Sequence, residues 1–308
     1  MNPASSRIPD PASLRARLVG AIGFPVTPFH PDGSLDADGL RRNVESMAAH
    51  AFAAIVAAGG TGELYSLSLA EHETVVGTTV EVANGRMPVI AGVGGSLAIA
   101  QEQARQAHRA GAAGILALPP YYPHADEDGL FEYYAAIAAA TPLGLLIYSR
   151  DWVNPGPAFV ERIAALTTAV AWKDGQGDVR RYQILVSRVG DRLHWIGGAG
   201  DDMVPAYYRM GLRAYTSSIS NVAPKVSLAL HEAAAAGDDT RLDTLMRELV
   251  VPLYAFRARR RGYEVTVMKA MMGLLGMAAG PVRPPLPALR PGEIEELARM
   301  LERWKPYL

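Results

Sequence analysis

The chain contains no cysteine among its 308 residues, so it has no disulfide framework, no thiolate nucleophile and no thiolate metal site. Its seven histidines form no closely spaced pair, and we therefore expect no bound metal ion. Lysine is also scarce, because only four of the 30 basic residues are lysines. A lysine at a special position in this chain is thus a feature to explain.

Neither a strong charge nor a long apolar segment is present. The net charge of −1 gives no overall attraction to nucleic acid or to an anionic membrane. The arginine-rich run 257–261 lacks the interleaved aromatic residues of a nucleic-acid site and is more typical of a solvated helix face or a subunit contact. No apolar run approaches the roughly 20 residues of a membrane helix, and residues 1–13 lack the apolar core of a signal peptide. We expect a cytoplasmic protein without nucleic-acid or membrane partners.

Glycine-rich turns occur, but none forms a complete nucleotide-binding motif. The turns 92–94 and 198–200 lack the third glycine of a dinucleotide fingerprint, and no Gly-Lys-Ser/Thr follows the loop Gly59–Glu63. We therefore expect no cofactor. The backbone N–H groups of the Gly59–Glu63 loop can instead converge on a carboxylate or a phosphate. Alternatively, its glycines only provide a tight turn with positive φ.

Short apolar stretches recur at intervals of roughly 25–35 residues, the size of a βαβ unit. Each is followed by a segment with helical spacing of its apolar residues. The predicted strands are Leu18–Phe24, Phe52–Ala58, Met87–Val93, Gly114–Leu118, Leu143–Tyr148, Val170–Lys173, Leu193–Gly197 and Ala214–Ser217. Continuous apolar strands covered by helices indicate a parallel sheet. Eight of them in about 220 residues fit one closed (β/α)8 TIM barrel of the α/β class better than an open doubly wound sheet.

The remainder of the chain is predicted to be helical. The expected helices are Val226–Ala236, Asp239–Arg260, Val265–Met277 and Glu293–Trp304. No linker-like segment precedes them, so we assign residues 1–17 to an N-terminal segment, 18–223 to the barrel and 224–308 to a C-terminal helical extension. The proline-rich segment 281–287 is a stiff connector within that extension.

The segment Val170–Asp178 carries the first candidate for chemistry. It begins as a buried strand and places Lys173 where the strand ends. An amine in an apolar environment is desolvated, so part of it is neutral and can attack a carbonyl to form a Schiff base. The alternative is a structural ion pair of Lys173 with Asp174 or Asp178.

Other candidates follow from the rule that barrel active sites form where strands run into loops. Tyr148 ends the strand before that of Lys173, so the two side chains can meet, and a phenol there can shuttle protons. A core tyrosine with a satisfied hydroxyl is the alternative. At the end of the eighth strand, Ser217 and Ser218 either bind substrate or cap a loop. Gly198 lies at the corresponding end of the seventh strand.

Several motifs together resemble the dihydrodipicolinate synthase/N-acetylneuraminate lyase family over nearly the whole chain. They are Phe24–Phe29 (FPVTPF), Gly59–Glu63 (GGTGE), Pro119–Tyr122 (PPYY), Tyr148 and Lys173-Asp174. The resemblance implies a (β/α)8 barrel with a helical extension, usually a homotetramer. It also implies Schiff-base chemistry on a 2-keto acid, with Lys173 as the imine lysine and Tyr148 as the proton shuttle.

The resemblance implies roles for further residues. Gly59, Gly60 and Thr61 would hold the carboxylate next to the keto carbon. Tyr122 matches a relay tyrosine that the family supplies across a subunit contact. Asn154 is a candidate, together with Ser217 and Ser218, for the polar end of the substrate.

Two departures indicate which branch of the family is closest. Dihydrodipicolinate synthases have a second threonine where this chain has Gly60, and an arginine where it has Val153; neuraminate lyases have a serine at position 60. The segments 260–263 (RRGY) and 279–286 (AGPVRPPL), with Tyr-x-Arg at 148–150 and Lys-Asp-Gly at 173–175, look most like 5-dehydro-4-deoxyglucarate dehydratases. In that branch an asparagine usually follows the tyrosine, where this chain has Ser149.

The expected reaction is therefore the dehydration and decarboxylation of 5-dehydro-4-deoxyglucarate to 2,5-dioxopentanoate, a lyase reaction of sugar-acid (glucarate) catabolism. The alternatives are a sugar-acid aldolase or a dihydrodipicolinate synthase-like enzyme. A third alternative is a barrel that binds a keto acid without turnover. The presence of both Lys173 and Tyr148 argues against this third alternative.

Overall fold

The computed structural model describes residues 10–122 and 124–308, and its centre is a closed barrel of eight parallel strands in the order of the chain. The strands are β1 (Gly20–Gly23), β2 (Ala54–Ala57), β3 (Val89–Val93), β4 (Gly114–Ala117), β5 (Gly144–Ser149), β6 (Ala169–Asp174), β7 (His194–Gly197) and β8 (Ala214–Ser217). Nearly every strand residue is buried, because side chains fill the interior and helices cover the outside. The predicted TIM barrel is confirmed.

Helices connect consecutive strands. They are α2 (Ala37–Ala48), α3 (Leu69–Ala83), α4 (Leu97–Ala110), α5 (Glu127–Ala139), α6 (Pro157–Ala164), α7 (Val179–Val189) and α8 (Val204–Arg209). Their starts follow the local sequence: the Asp36 carboxylate accepts a hydrogen bond from the N–H of Gly39, and Ser68 with Glu71 forms a complete capping box.

A further helix, α1 (Pro11–Arg17), precedes the barrel, where the sequence predicted no regular element. Asp10 caps it by accepting hydrogen bonds from the N–H groups of Ala12 and Ser13. Its one buried residue, Leu14, packs where β4 and β5 begin, close to Gly114 and Gly144. The helix therefore covers the end of the barrel opposite the strand-to-helix loops. A seven-residue helix with one buried side chain has too little periodicity to be predicted.

The side-chain alternation of β6 determines which residues face the barrel interior. Trp172 packs against the ring of Phe159 in α6, with 6.3 Å between ring centroids, so it faces the helical layer. Successive residues of a strand point to opposite faces. Lys173 consequently points into the barrel, and its register partner in β5 is Tyr148.

The segment after the barrel is helical, as predicted, with somewhat different boundaries. Its helices are α9 (Pro224–Ala236), α10 (Asp239–Leu245), α11 (Val251–Arg257), α12 (Tyr263–Leu274) and α13 (Glu293–Leu301). A five-residue π-helical turn, Met246–Val250, joins α10 to α11 within the single helix expected from the sequence, and this helix ends at Arg257 instead of Arg260. No helix in the described ranges is long and apolar enough to cross a membrane.

Candidate active site

Lys173 lies at the end of β6 where the strand runs into its loop. Its side chain is almost fully buried, and Nζ donates a hydrogen bond of 3.0 Å to the carbonyl oxygen of Gly198. Nζ also lies 3.2 Å from the ring centroid of Tyr148 and 5.5 Å from that of Phe24. The amine is thus enclosed by two aromatic rings and one backbone acceptor.

The surroundings of Lys173 favour its neutral form. Burial lowers its pKa well below the usual 10.5, and the positive charge of Arg150 lowers it further. Lys173 forms no ion pair within the described part of the chain. The carboxylate of Asp174 accepts hydrogen bonds from the N–H groups of Gln176 and Gly177 and from the Tyr207 hydroxyl, whereas Asp178 caps α7. The structural ion pair considered for Lys173 is therefore absent here, and its amine is available as a nucleophile.

Tyr148 lies on β5 directly beside Lys173. The two residues are register partners, so a carbonyl carbon bound to the amine would lie within reach of the phenol. Burial raises the pKa of Tyr148, and the charge of Arg150 opposes that rise. A phenol that keeps its proton at neutral pH can donate it to a developing alkoxide and take it back, as carbinolamine formation and dehydration require.

The Gly59–Glu63 loop follows β2 and presents free backbone donors. Within the part of the chain described, the N–H groups of Gly60 and Thr61 donate no intramolecular hydrogen bond, whereas those of Glu63 and Leu64 bond back to Gly60 and Gly59. Two adjacent unpaired N–H groups form an anion-binding arrangement. The loop can thus hold a carboxylate.

The glycines of this loop are required by space, not by positive φ. The left-handed residues are its neighbours Ala58 and Glu63, with φ of 50° and 55°. A Cβ on Gly59 would lie 2.9 Å from the Phe24 ring, and one on Gly62 would lie 3.1 Å from the Cα of Ala58. The interpretation of the glycines as positive-φ positions is therefore wrong, and close packing explains them instead.

The C-terminal extension fixes the loop through Glu63. The Glu63 carboxylate forms an ion pair of 2.6 Å with Lys269 of α12, and both side chains are at most 2% exposed. The second carboxylate oxygen accepts a hydrogen bond of 2.9 Å from the N–H of Arg283. The guanidinium of Arg283 in turn pairs with Glu71 of α3 and donates to the carbonyls of Gly33 and Ser66. These contacts hold the left-handed residue that ends the loop.

A family model described as the dihydrodipicolinate synthetase family matches residues 17–304. The chain belongs to this family. One relative, named probable 5-dehydro-4-deoxyglucarate dehydratase, comes from Bradyrhizobium diazoefficiens; it is 38% identical over 287 residues, which cover 92% of this chain and 91% of the relative. A relative of the same name from Azotobacter vinelandii is 35% identical and covers 96% of this chain and 99% of its own length.

Among solved structures, dihydrodipicolinate synthase from Oceanobacillus iheyensis matches with a TM-score of 0.91 at 30% identity, covering 96% of this chain and 100% of that chain. A Ruminococcus gnavus sialic acid aldolase matches with a TM-score of 0.88 at 23% identity, which shows the shared fold alone. The predictions of the family and of a lyase are confirmed by these comparisons.

The other site residues predicted at the ends of β7 and β8 differ in how deeply they are buried. Gly198 is buried against Lys173, and a Cβ there would lie 2.5 Å from Nζ. Ser217 is fully buried, and its hydroxyl is engaged with Asp201 and Ser227 of α9, so it supports the loop instead of facing an open surface. Ser218 is partly exposed and accepts a hydrogen bond of 3.0 Å from Arg257.

Among the described residues, neither Tyr122 nor Asn154 forms a hydrogen bond with Lys173. Tyr122 is 77% exposed on the loop after β4, and Asn154 is exposed on the loop after β5, where its carbonyl accepts a hydrogen bond from Arg181. Their roles in substrate binding stay predictions.

Several residues near the site escaped the sequence analysis. Arg150 lies beside Tyr148 and Gly60, and from α11 Tyr254 donates a hydrogen bond to the Asp201 carboxylate. Arg257 stacks on Tyr254 with its Nε buried and unpartnered among the described residues. The Tyr-x-Arg motif was noted as a branch marker, and its arginine could have been weighed as a cation at the mouth. Tyr254 carries no local signal, because a tertiary contact alone brings it to the barrel. For Arg257, the solvated helix face expected of the run 257–261 is wrong, because this side chain is buried and donates a hydrogen bond to Ser218.

The side chains at this end of the barrel include the groups that covalent catalysis uses. Residues 10–122 and 124–308 contain no group of three or more histidine, aspartate or glutamate side chains that could hold a metal ion. An amine with a lowered pKa, an adjacent phenol and a pair of free N–H groups are the chemical components present. Together they fit attack on a carbonyl that has a neighbouring carboxylate.

Proposed function

We propose that the protein converts 5-dehydro-4-deoxyglucarate into 2,5-dioxopentanoate, carbon dioxide and water through a Schiff base on Lys173. The observation that carries the proposal is the buried amine of Lys173, which has no ion-pair partner in the described part of the chain, beside Tyr148 and a loop with two free N–H groups. Relatives at 35–38% identity over most of the chain carry the name of this dehydratase, which supports the choice of substrate.

The reaction begins when the Lys173 amine attacks the keto carbon while the loop N–H groups bind the adjacent carboxylate. Tyr148 donates a proton to the carbonyl oxygen and then assists its departure as water, which leaves an imine. The imine acidifies the neighbouring CH2 group, and removal of a proton there gives an enamine. The enamine electrons expel the hydroxyl on the next carbon, which leaves as water after protonation and yields a conjugated imine.

The conjugated imine then accepts the electrons released when the distal carboxylate leaves as CO2. Protonation of the resulting dienamine and hydrolysis of the imine regenerate Lys173. The enol at the former carboxylate end becomes the aldehyde of 2,5-dioxopentanoate. One proton is taken up overall, and water and CO2 are the other products.

Two positions favour this reaction over pyruvate condensation. Gly60 supplies no hydroxyl to a proton relay between Tyr148 and solvent. Position 153 holds a fully buried valine, where dihydrodipicolinate synthases have an arginine that binds a carboxylate. We therefore expect no condensation of pyruvate with aspartate semialdehyde.

A homotetramer is part of the proposal, since the resemblance implies that Tyr122 completes a neighbouring site. Its high exposure in the single chain is compatible with burial against a second copy. The cytoplasmic location and a place in glucarate catabolism stay predictions from the sequence.

The decisive experiment supplies 5-dehydro-4-deoxyglucarate and follows CO2 and the five-carbon keto aldehyde together. We expect equal yields of both, no pyruvate, and no turnover by Lys173→Ala. Borohydride with a 2-keto acid should label Lys173 alone, because Lys269 is ion-paired and Lys225 donates to the carbonyl of Leu308. Stoichiometric pyruvate would replace the dehydratase with an aldolase, and binding without any turnover would support the keto-acid-binding barrel.

A further inference from the structure

Arg150 occupies a position in the mouth that the proposed reaction has not yet used. It follows the end of β5 by one residue, and its guanidinium carbon lies 5.9 Å from the Tyr148 ring centroid. Its side chain is 41% exposed, whereas Tyr148 and Lys173 are almost fully buried. The guanidinium therefore lies farther out in the mouth than the reacting amine.

The guanidinium also explains why position 60 is glycine. The φ of Gly60 is not positive, so no backbone strain demands glycine there. Among the residues that the structure describes, the only side-chain or backbone atom within 4 Å of a Cβ built on Gly60, apart from its chain neighbours, is Nη1 of Arg150, at 3.0 Å. A side chain at position 60 would thus compete with the guanidinium for the same space.

The charge of Arg150 is only weakly paired within residues 10–122 and 124–308. There it forms one ion pair, with Asp151 at 3.2 Å, and the Asp151 side chain is 69% exposed. An exposed pair of this kind is held by little free energy and exchanges readily. An arginine fork that faces a cleft can instead bind a carboxylate through two parallel hydrogen bonds.

We propose that Arg150 binds the distal carboxylate of the substrate and that Gly60 leaves room for its guanidinium. In this proposal the loop N–H groups bind the carboxylate beside the keto carbon, and the guanidinium, which lies next to Gly60, binds the carboxylate at the other end of the substrate. Arg150 would thus replace the carboxylate-binding arginine that dihydrodipicolinate synthases have at position 153. It rests on the proposed function only in requiring a substrate with a carboxylate at each end.

The test compares two 2-keto acids of equal length, 2-oxoadipate and 2-oxohexanoate, which differ in the distal carboxylate. Each is trapped on Lys173 with borohydride, and the half-saturating concentration is read from the mass of the intact protein. The ratio of the two concentrations isolates the distal carboxylate, because a change in the reactivity of Lys173 affects both acids equally. We expect the wild type to prefer the diacid by roughly 10- to 100-fold, the range of a charge-assisted contact.

Arg150→Met should reduce this ratio to about one, because a changed reactivity of Lys173 affects both acids equally whereas only 2-oxoadipate loses a contact. Arg150→Lys should keep part of the ratio. Gly60→Ala should lower the ratio several-fold with an unchanged melting temperature, since the added methyl meets only the end of a flexible side chain. Arg257→Met should keep the preference. High salt should reduce the wild-type preference, because Arg150 is partly exposed.

Three results would overturn the proposal. They are equal affinity of the wild type for both acids, a preserved preference in Arg150→Met, or its loss in Arg257→Met alone. A loss of trapping with an unchanged ratio in Arg150→Met would show that the guanidinium only adjusts the amine, which also contradicts it. Failure of the proposed dehydration is a separate result, because it appears as missing CO2 release while the diacid preference and its dependence on Arg150 persist.

Discussion

Replacing Lys269 with methionine should disrupt both the fold and substrate binding. Methionine keeps most of the side-chain volume but leaves the Glu63 carboxylate buried without its cation. The pair is separated by 2.6 Å, and the two side chains are 2% and 0% exposed, so water cannot easily replace the lysine. Removal of one partner from a buried pair costs about 3–5 kcal/mol.

The Arg283 N–H still donates to Glu63 in this variant, so the lower end of that range, about 3 kcal/mol, is the expected loss of unfolding free energy. Because Glu63 ends the loop that presents Gly60 and Thr61, the half-saturating concentration of a keto acid in borohydride trapping should also rise. Lys173 itself is untouched, so trapping at saturation should persist.

The assay is thermal unfolding together with trapping for three variants. Glu63→Gln combined with Lys269→Met removes both charges and should recover most of the stability, since neutral replacement of a buried pair is often nearly neutral. Arg41→Met breaks the exposed pair with Glu81 and serves as the control without measurable effect. A loss below about 1 kcal/mol in Lys269→Met, or a double variant as unstable as the single one, would refute the reasoning about burial.

Three further predictions concern the reacting groups. Tyr148→Phe should lower kcat by roughly 10²–10⁴ with little loss of stability, and a kcat near wild type would leave the phenol a packing role. The rate of borohydride trapping should rise with pH and reach its plateau well below pH 10.5, because burial lowers the pKa of Lys173 and the neutral amine is the form that reacts. Arg150→Met removes a positive neighbour and raises that pKa, so the rise should shift to higher pH. An unmoved pH profile would contradict this coupling. Gly198→Ala should impair trapping, because the added Cβ would lie 2.5 Å from Nζ of Lys173. Gly77→Ala in α3 is the control and should leave trapping unchanged, since the space around Gly77 is open. Equal effects of the two substitutions would count against the steric argument.

The relation between Lys173 and Tyr148 could be predicted from the sequence because it depends on strand order and strand ends. Neighbouring parallel strands end at the same edge of the barrel, and each residue lies one position before the end of its strand. The barrel itself followed from the repeated spacing of apolar segments. A periodic pattern of apolar segments predicts the order of the strands and where each strand ends.

The orientation of Ser217 could not be predicted in the same way. Both faces of a barrel strand are buried, so an apolar pattern does not tell the interior face from the helical face. Ser217 contacts Ser227 of α9, and Tyr215 two residues earlier donates to the carbonyl of the same residue, so both face the helices. Arg150 was missed for a related reason, since its significance depends on the space beside Gly60, which is distant in sequence.

The contact between Glu63 and the C-terminal extension also sets an order of assembly. The Glu63 carboxylate meets the N–H of Arg283 across 220 residues of chain. During synthesis from the N-terminus, all eight strands leave the ribosome before the residues that neutralise and hold Glu63. A nascent barrel would carry Lys173 and Tyr148 but no fixed carboxylate loop. We therefore expect substrate recognition to mature last, when the extension docks, and an incomplete chain to have the nucleophile without the means to place a keto acid against it.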